Sequence, residues 1–81
     1  MNVTIRLFAV ARERAGRSTV TIALPEGATV ADLRAALADS LPDLAALLPG
    51  ILIAVDSEYA DDLAALRVDS EIALIPPVSG G

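Results

Sequence analysis

The sequence predicts an α+β domain in which one main helix lies across a mixed β-sheet. Two segments near the N-terminus alternate between apolar and polar residues, which is typical of strands with one buried face. The segment 29–41 instead repeats its apolar residues at helical spacing, and short apolar runs follow it. The predicted order is therefore two strands, the main helix, a short helix and three further strands, one of them short.

The first half of the chain contains the two alternating strands and the main helix. The first strand is predicted at 2–10 and the second at 19–24, with a charged loop at 11–17 between them. Thr29 and Asp32 form a capping-box pattern, in which the hydroxyl and the carboxylate each accept a backbone N–H of the other residue. Four apolar residues then share one face of the helix: Val30, Leu33, Leu37 and Leu41.

The second half is built from shorter elements. Pro42 suits the first turn of a short helix, and the continuous apolar run 51–55 is typical of a strand buried on both sides. A turn is predicted at 56–57, after which Tyr59 begins a short extended piece. The final strand is predicted at 71–75, and we expect it to pair in parallel with the first strand at the centre of the sheet.

The composition excludes several classes of function. The 81 residues suffice for one domain, and they include no cysteine, histidine or lysine. The chain therefore lacks the usual nucleophiles, the near-neutral acid–base group and the common transition-metal ligands. Its net charge of −5 disfavours nucleic acid and anionic membranes. With no signal-peptide pattern and no long apolar stretch, we expect a cytoplasmic protein that binds no metal and no membrane.

The C-terminal segment 76–81 is predicted to project as a tail from the domain formed by 1–75. Its two prolines end the last strand because they lack a backbone N–H, and they favour an extended path. Gly80 and Gly81 have no side chain, so the tip can enter a narrow channel. A frayed terminus is the alternative. Because the chain has no reactive thiol, imidazole or amine side chain, the carboxylate of Gly81 is the candidate reactive group.

Two clusters of like charge favour solvated loops over binding sites. The acidic pair Asp61 and Asp62 lacks the further oxygen ligands and the glycine turn that a calcium site needs. Arg12, Arg14 and Arg17 follow no glycine-rich turn at the start of a helix, so a phosphate site is disfavoured.

Three larger apolar side chains are predicted to share an exposed face near the tail. Phe8 is out of phase with the apolar residues of the first strand, and Ile75 with those of the last strand. If these strands are neighbours, both side chains point away from the core on the same side. Tyr59 can join them from the turn after the third strand. Such a cluster is typical of a docking surface; the alternative is that Phe8 or Tyr59 covers a small core under a loop.

Several segments resemble the sulfur-carrying small subunits of molybdopterin synthase, a family of ubiquitin-like (MoaD-like) proteins. The ending Pro-Pro-Val-Ser-Gly-Gly at 76–81 is the most specific of them. Segments 7–16, 54–59 and 69–73 resemble the family's opening strand and loop, its middle strand and turn, and the beginning of its last strand. Two residues depart from the pattern, because Asp56 stands where Asn is common and Ser70 where Gly is frequent; a serine accepts a left-handed turn less readily.

The resemblance implies a β-grasp fold and a carrier function in molybdenum cofactor biosynthesis. An activating enzyme would adenylate Gly81 with ATP, and sulfur from a persulfide would convert it to a thiocarboxylate. The chain would bind no cofactor of its own. In a heterotetramer of two small and two large subunits, it would donate this sulfur to cyclic pyranopterin monophosphate to form the dithiolene. The partner contacts implied or predicted are Phe8, Arg12, Tyr59, Ile75, Pro76, Pro77, Val78 and Ser79, with Gly80 and Gly81 at the reactive tip.

Other functions stay open at this point. Ubiquitin-like carriers also supply sulfur for thiamine synthesis or tRNA thiolation, and ubiquitin-like modifiers are joined through their last glycine to lysines of other proteins. A plain interaction domain with an inert tail is the remaining alternative.

Overall fold

A computed structural model of the chain describes residues 1–77, so the last four residues lie outside the described part. Seven helices and strands follow in chain order: β1 Asn2–Leu7, α1 Ala9–Ala15, β2 Thr19–Ala23, α2 Val30–Ser40, β3 Leu52–Val55, β4 Glu58–Tyr59 and β5 Ile72–Ile75. Two short 3₁₀ turns, Pro42–Leu44 and Leu48–Gly50, connect α2 to β3. None of the helices within 1–77 is long and apolar enough to cross a membrane.

The strands form one mixed sheet in the order β2-β1-β5-β3-β4. β1 and β5 are parallel neighbours at its centre, with Leu7 opposite Leu74. β2 is antiparallel to β1, and β3 is antiparallel to both β5 and β4. The predicted α+β class and the central parallel pair are confirmed, and a helix across such a sheet is the arrangement of the β-grasp fold.

The core fills the space between α2, the 3₁₀ turns and one face of the sheet, called here the closed face. Every second residue of β1, β2 and β5 points into it, and these side chains are at most 6% exposed. The core contains no buried charged or polar side chain among residues 1–77. Its larger members are Val3, Ile5, Leu7, Val20, Ile22, Leu24, Val30, Leu33, Leu37, Leu44, Leu48, Ile51, Ile53, Leu66, Ile72 and Leu74. The opposite side, called the open face, carries no helix.

The capping box at the start of α2 is confirmed. The Thr29 backbone N–H donates to Asp32 Oδ2 at 2.9 Å, and the Asp32 N–H donates to Thr29 Oγ1 at 3.3 Å. These bonds satisfy two donors at the start of the helix, and the carboxylate lies at the positive end of the helix dipole. Local sequence therefore determines where the covering helix begins.

The region predicted as the end of the first strand and a charged loop forms a helix instead. β1 ends at Leu7, and α1 occupies Ala9–Ala15. Its alanines, arginines and glutamate favour helix, and Ala11 is fully buried against the core. Gly16 ends α1 in a left-handed conformation with φ 73°, and its N–H donates to the Arg12 carbonyl oxygen at 2.9 Å. Gly16 therefore marks the end of a helix and not, as the sequence pattern predicts, a turn between two strands.

Two smaller predictions in the second half also need correction. β3 is buried on both faces along only part of its length, because Leu52 is 44% exposed whereas Ile53 and Ala54, on opposite faces, are buried. A continuous apolar run does not reveal whether one or both faces of a strand are buried, because an apolar residue can also lie on an exposed face. The turn before β5 does not need a left-handed residue: Ser70 has no positive φ. Its Oγ accepts the Arg67 N–H at 3.0 Å, and its own N–H donates to the Arg67 carbonyl oxygen at 3.0 Å.

Candidate functional site: an apolar cluster at the root of the tail

The parallel pairing of β1 and β5 brings Phe8 beside Ile75. Leu7 and Leu74 are register partners on the closed face, so the next residue of each strand lies on the open face at the same end of the sheet. Phe8 is 42% exposed, and Ile75 is half-buried and lies outside the core cluster. Beyond these residues one chain segment turns into α1 and the other enters Pro76.

A tight turn places Tyr59 over the same face. Asp56 and Ser57 have φ of 52° and 70°, the left-handed pair that suits a two-residue hairpin between twisted strands. The Asp56 N–H donates to the Glu71 carbonyl oxygen at 2.8 Å, and Asp56 Oδ1 accepts the Glu71 N–H at 2.9 Å. Aspartate, like asparagine, tolerates this conformation, so the Asp56 departure preserves the turn. The turn fixes β4 to the start of β5.

These side chains surround one shallow depression on the open face. Its apolar residues, apart from the core residue Ile72, are called here the open-face cluster: Phe8, Ala54, Tyr59, Ala73 and Ile75. Tyr59 is 68% exposed and pairs with Ala54 across β3 and β4. Leu52, the register partner of Ile75, extends the apolar surface beyond the depression. The prediction that Phe8, Tyr59 and Ile75 share an exposed face agrees with this geometry; their role in partner binding stays a prediction.

Polar groups form the rim of the depression. Arg6 and Glu71 are both exposed and line it together with Ser57. Neither charge takes part in an ion pair within 1–77, where the one salt bridge joins Arg34 and Asp62. An apolar centre with a polar rim is the composition of protein–protein interfaces. Sequence analysis missed these rim residues, although the alternation of β1 places Arg6 in phase with Phe8.

Backbone strain lies directly beside Phe8. Ala9 has φ 51°, a left-handed conformation that costs an ordinary residue about 1–2 kcal/mol. The Phe8 carbonyl oxygen accepts the Ala11 N–H at 3.1 Å, so the chain reverses immediately after the aromatic residue. The strained reversal keeps Phe8 on the open face rather than letting β1 continue, and strained residues of this kind gather at functional positions.

Arg12 is not part of the open-face cluster. It is an exposed residue in the last turn of α1, and it does not line the depression. Its side chain lies near the carboxyl end of the helix, where a positive charge is favourable. Arg12 therefore lies outside the depression that Phe8, Tyr59 and Ile75 line, and its part in partner binding stays a prediction.

The acidic pair has a structural role in its loop. Asp62 accepts a hydrogen bond from Arg34 Nε at 2.9 Å, and Arg34 also donates to the Leu48 carbonyl oxygen at 2.6 Å. Asp61 Oδ1 accepts the Leu63 N–H at 2.9 Å. No group of three or more potential metal-ligating side chains occurs in the described part of the chain. These contacts explain the pair without a bound cation.

The last strand ends where the sequence predicts. β5 ends at Ile75, Pro76 is half-buried, and Pro77 is exposed. The remaining predicted tail positions, Val78, Ser79, Gly80 and Gly81, lie outside the described residues.

The sequence profile of the ThiS family matches residues 5–81, nearly the whole chain. The chain belongs to the ThiS family. Two curated relatives are named molybdopterin synthase sulfur carrier subunit. The protein from Arabidopsis thaliana is 33% identical over 81 residues, which cover 100% of this chain and 84% of that protein. The protein from Chlamydomonas reinhardtii is 36% identical over 83 residues and is matched over 100% of both chains. The resemblance to molybdopterin synthase small subunits is thereby confirmed.

Solved structures of the family share the fold. The crystal structure of SAMP1 from Haloferax volcanii, a small archaeal modifier protein, is 32% identical with a TM-score of 0.87 and covers 100% of both chains. A chain in the complex of subunits 1 and 2 of molybdopterin-converting factor from Helicobacter pylori 26695 is 27% identical, with a TM-score of 0.71 and 100% coverage of both chains. The β-grasp fold is therefore confirmed.

Proposed function

We propose that this chain is the sulfur-carrier subunit of molybdopterin synthase, with Gly81 as the group that carries sulfur. The observation that carries the proposal is the exposed open-face cluster at the root of the tail, where β5 leads into Pro76. Full-length similarity to relatives that bear this name supports it. A carrier needs a docking surface close to the segment that leads to its reactive end, and the parallel β1–β5 pair places Phe8 beside Ile75, the last residue before Pro76.

The chemistry follows from what the side chains lack. A free carboxylate is a poor electrophile because it is anionic and has no good leaving group. Adenylation with ATP by an activating enzyme would convert Gly81 to an acyl-adenylate. The outer sulfur of a persulfide donor would displace AMP to give an acyl disulfide, and a thiol supplied by the donor proteins or by a reductant would then cleave its S–S bond, forming a disulfide and leaving a thiocarboxylate. With no cysteine, histidine or lysine in the sequence, the usual catalytic side chains would come from the partner proteins.

The large subunit would bind the open-face cluster and receive the tail. The Helicobacter pylori complex of subunits 1 and 2 supports a partner of this type. Phe8, Tyr59 and Ile75 would form the apolar centre of the interface, and Arg6 and Glu71 its rim. Residues 76–79 would lead the diglycine into the active site, where the sulfur would be transferred to cyclic pyranopterin monophosphate. We further propose a heterotetramer of two small and two large subunits, acting in the cytoplasm.

Intact mass spectrometry tests this proposal. The protein is incubated with ATP, the activating enzyme and a persulfide donor. We expect the mass to rise by the difference between one sulfur and one oxygen atom. Deletion of Gly81, or addition of one residue after it, should abolish this change and all sulfur transfer, because the activated carboxylate is lost or displaced. Thermal unfolding should be unchanged, since the core lies within 1–77. Full sulfur transfer by the truncated chain would contradict the carrier function.

A second function is favoured by a separate observation. SAMP1, which is similar over both full chains, is named as a protein modifier. The same acyl-adenylate could react with a lysine of another protein to form an isopeptide bond. Adducts of this chain on lysines in the mass experiment, without a thiocarboxylate, would support the modifier in place of the sulfur carrier.

A further inference from the structure

Left-handed backbone conformations occur at two kinds of residue in the described part of the chain. Within residues 1–77, five residues have φ between 51° and 79°. Two of them are glycines, Gly16 and Gly27, which adopt this conformation at no steric cost because they lack a Cβ. The other three are Ala9, Asp56 and Ser57. Their Cβ atoms crowd the backbone, so the same conformation is strained.

The three residues with side chains lie beside the open-face cluster, and the two glycines do not. Ala9 directly follows Phe8, and Ser57 lines the depression two residues before Tyr59. One glycine ends α1 and the other lies in the turn before α2, and neither lines the depression. A side-chain carbon at either glycine would have no atom of a non-neighbouring residue within 4 Å. Away from the cluster, glycine therefore serves the backbone conformation alone.

Packing and hydrogen bonding do not explain the side chains of Ala9 and Ser57. Both residues are exposed and lie outside the core. Asp56 differs, because its carboxylate accepts the Glu71 N–H at 2.9 Å and so joins the turn to β5. The Ser57 hydroxyl takes part in no hydrogen bond within 1–77. Glycine would relieve the strain at both positions, so their side chains require another reason.

The surroundings of the strained residues are rigid enough to hold them. The Phe8 carbonyl oxygen accepts the Ala11 N–H at 3.1 Å, and Ala11 is fully buried in the core. The hairpin turn is held by the two hydrogen bonds between Asp56 and Glu71. Strained residues persist where the surrounding structure determines their conformation in this way.

We propose that Ala9 and Ser57 are positioning residues that order the two aromatic side chains, Phe8 and Tyr59, before a partner binds. The chain has one phenylalanine, one tyrosine and no tryptophan, so these are its only aromatic residues. A residue with a Cβ has far fewer backbone conformations than glycine. Ordering an interface side chain in advance removes part of the entropy cost of binding. The strain thus lowers the stability of the free chain and raises its affinity for the partner.

This inference rests on the proposed docking of the large subunit, and the variants Ala9→Gly and Ser57→Gly test it. Each should raise the urea midpoint of the free chain, because the strain is relieved. Each should also weaken large-subunit binding about threefold in calorimetry, because the aromatic residue is then ordered only on binding. The control is Gly27→Ala, which introduces strain away from the cluster. It should lower the midpoint and bind normally.

Backbone ¹⁵N relaxation of the free chain separates positioning from direct contact. We expect order parameters of about 0.85 at Phe8 and Tyr59, as in rigid strands. Ala9→Gly should lower the value at Phe8, and Ser57→Gly the value at Tyr59, whereas Gly27→Ala should change neither. A role confined to stability would leave both the order parameters and the affinity unchanged.

The outcomes distinguish this inference from the proposed function. Normal binding by both glycine variants would overturn the inference, and so would weaker binding with unchanged order parameters, because the side chains would then contact the partner directly. A lower urea midpoint in both variants would also overturn it. Normal binding by Phe8→Ala would instead contradict the docking proposal. In that case the order parameters of the free chain would still decide whether Ala9 and Ser57 order the aromatic residues.

Discussion

The two faces of the sheet carry apolar residues for different purposes, and neighbouring residues of one strand show the contrast. In β1, Leu7 is 2% exposed on the closed face, whereas Phe8 after it is 42% exposed. In β5, Leu74 is fully buried and Ile75 is half-buried on the open face. Burial on the closed face stabilises the fold by about 25 cal/mol per Å² of apolar surface. Open-face residues gain the rest of that energy only when another molecule covers them.

The largest difference in stability is expected between alanine substitutions at two adjacent residues, Leu74 and Ile75. Leu74→Ala leaves a cavity in the core and should lower the free energy of unfolding by about 2–5 kcal/mol. Ile75→Ala removes a partly exposed side chain outside the core cluster and should cost about 1 kcal/mol or less. Urea unfolding followed by circular dichroism measures both. Equal losses at the two positions would break the distinction between the faces.

A smaller loss of stability is expected at the start of α2, the helix that covers the closed face. Thr29→Ala removes the hydroxyl that accepts the Asp32 N–H, and should destabilise the domain by about 1 kcal/mol. Thr29→Ser retains a capping hydroxyl and serves as the control. Both variants should bind the large subunit as the unchanged chain does, since α2 does not line the depression on the open face. Weaker binding by folded Thr29→Ala would show that the two faces are coupled.

The smallest effect concerns metals and redox conditions. The domain should unfold reversibly in one transition whose midpoint is unchanged by EDTA or by a reductant. The closed-face core supplies its stability, the sequence contains no cysteine, and residues 1–77 contain no cluster of three potential ligands. A midpoint several degrees lower in EDTA would reveal a metal site and would move part of the stability away from the core.

Sequence patterns predicted the closed face more completely than the open face. Alternation identified β1 and β2, and the Thr29–Asp32 box identified the start of α2, because these signals are local. The phase of Phe8 and Ile75, combined with the parallel pairing, predicted which side they occupy. The prediction that Phe8 and Ile75 lie on the same face depended on the parallel pairing of the first and last strands, which was expected from the fold class and not from local pattern.

The missed features depend on tertiary structure. α1 is a seven-residue helix whose Ala11 is buried, and so short a segment carries little periodic signal. Because this helix replaced a loop, the position of Arg12 was also missed. The hydrogen bonds between Asp56 and Glu71 join residues 15 positions apart, so local pattern could not show how Tyr59 is held. The exposure of Leu52 likewise follows from its neighbours in the sheet.

Isothermal titration calorimetry of the large subunit with the Phe8→Ala variant tests the central claim most directly. Phe8 lies in the open-face cluster, and truncating an aromatic side chain at the centre of an interface commonly costs about 2 kcal/mol or more. The control is Leu63→Ala, because Leu63 is 86% exposed but lies outside the cluster. The account predicts that Phe8→Ala weakens binding at least tenfold, equivalent to about 1.4 kcal/mol, with little loss of monomer stability, while Leu63→Ala binds normally. Undiminished binding by Phe8→Ala, or an equal loss with Leu63→Ala, would contradict it.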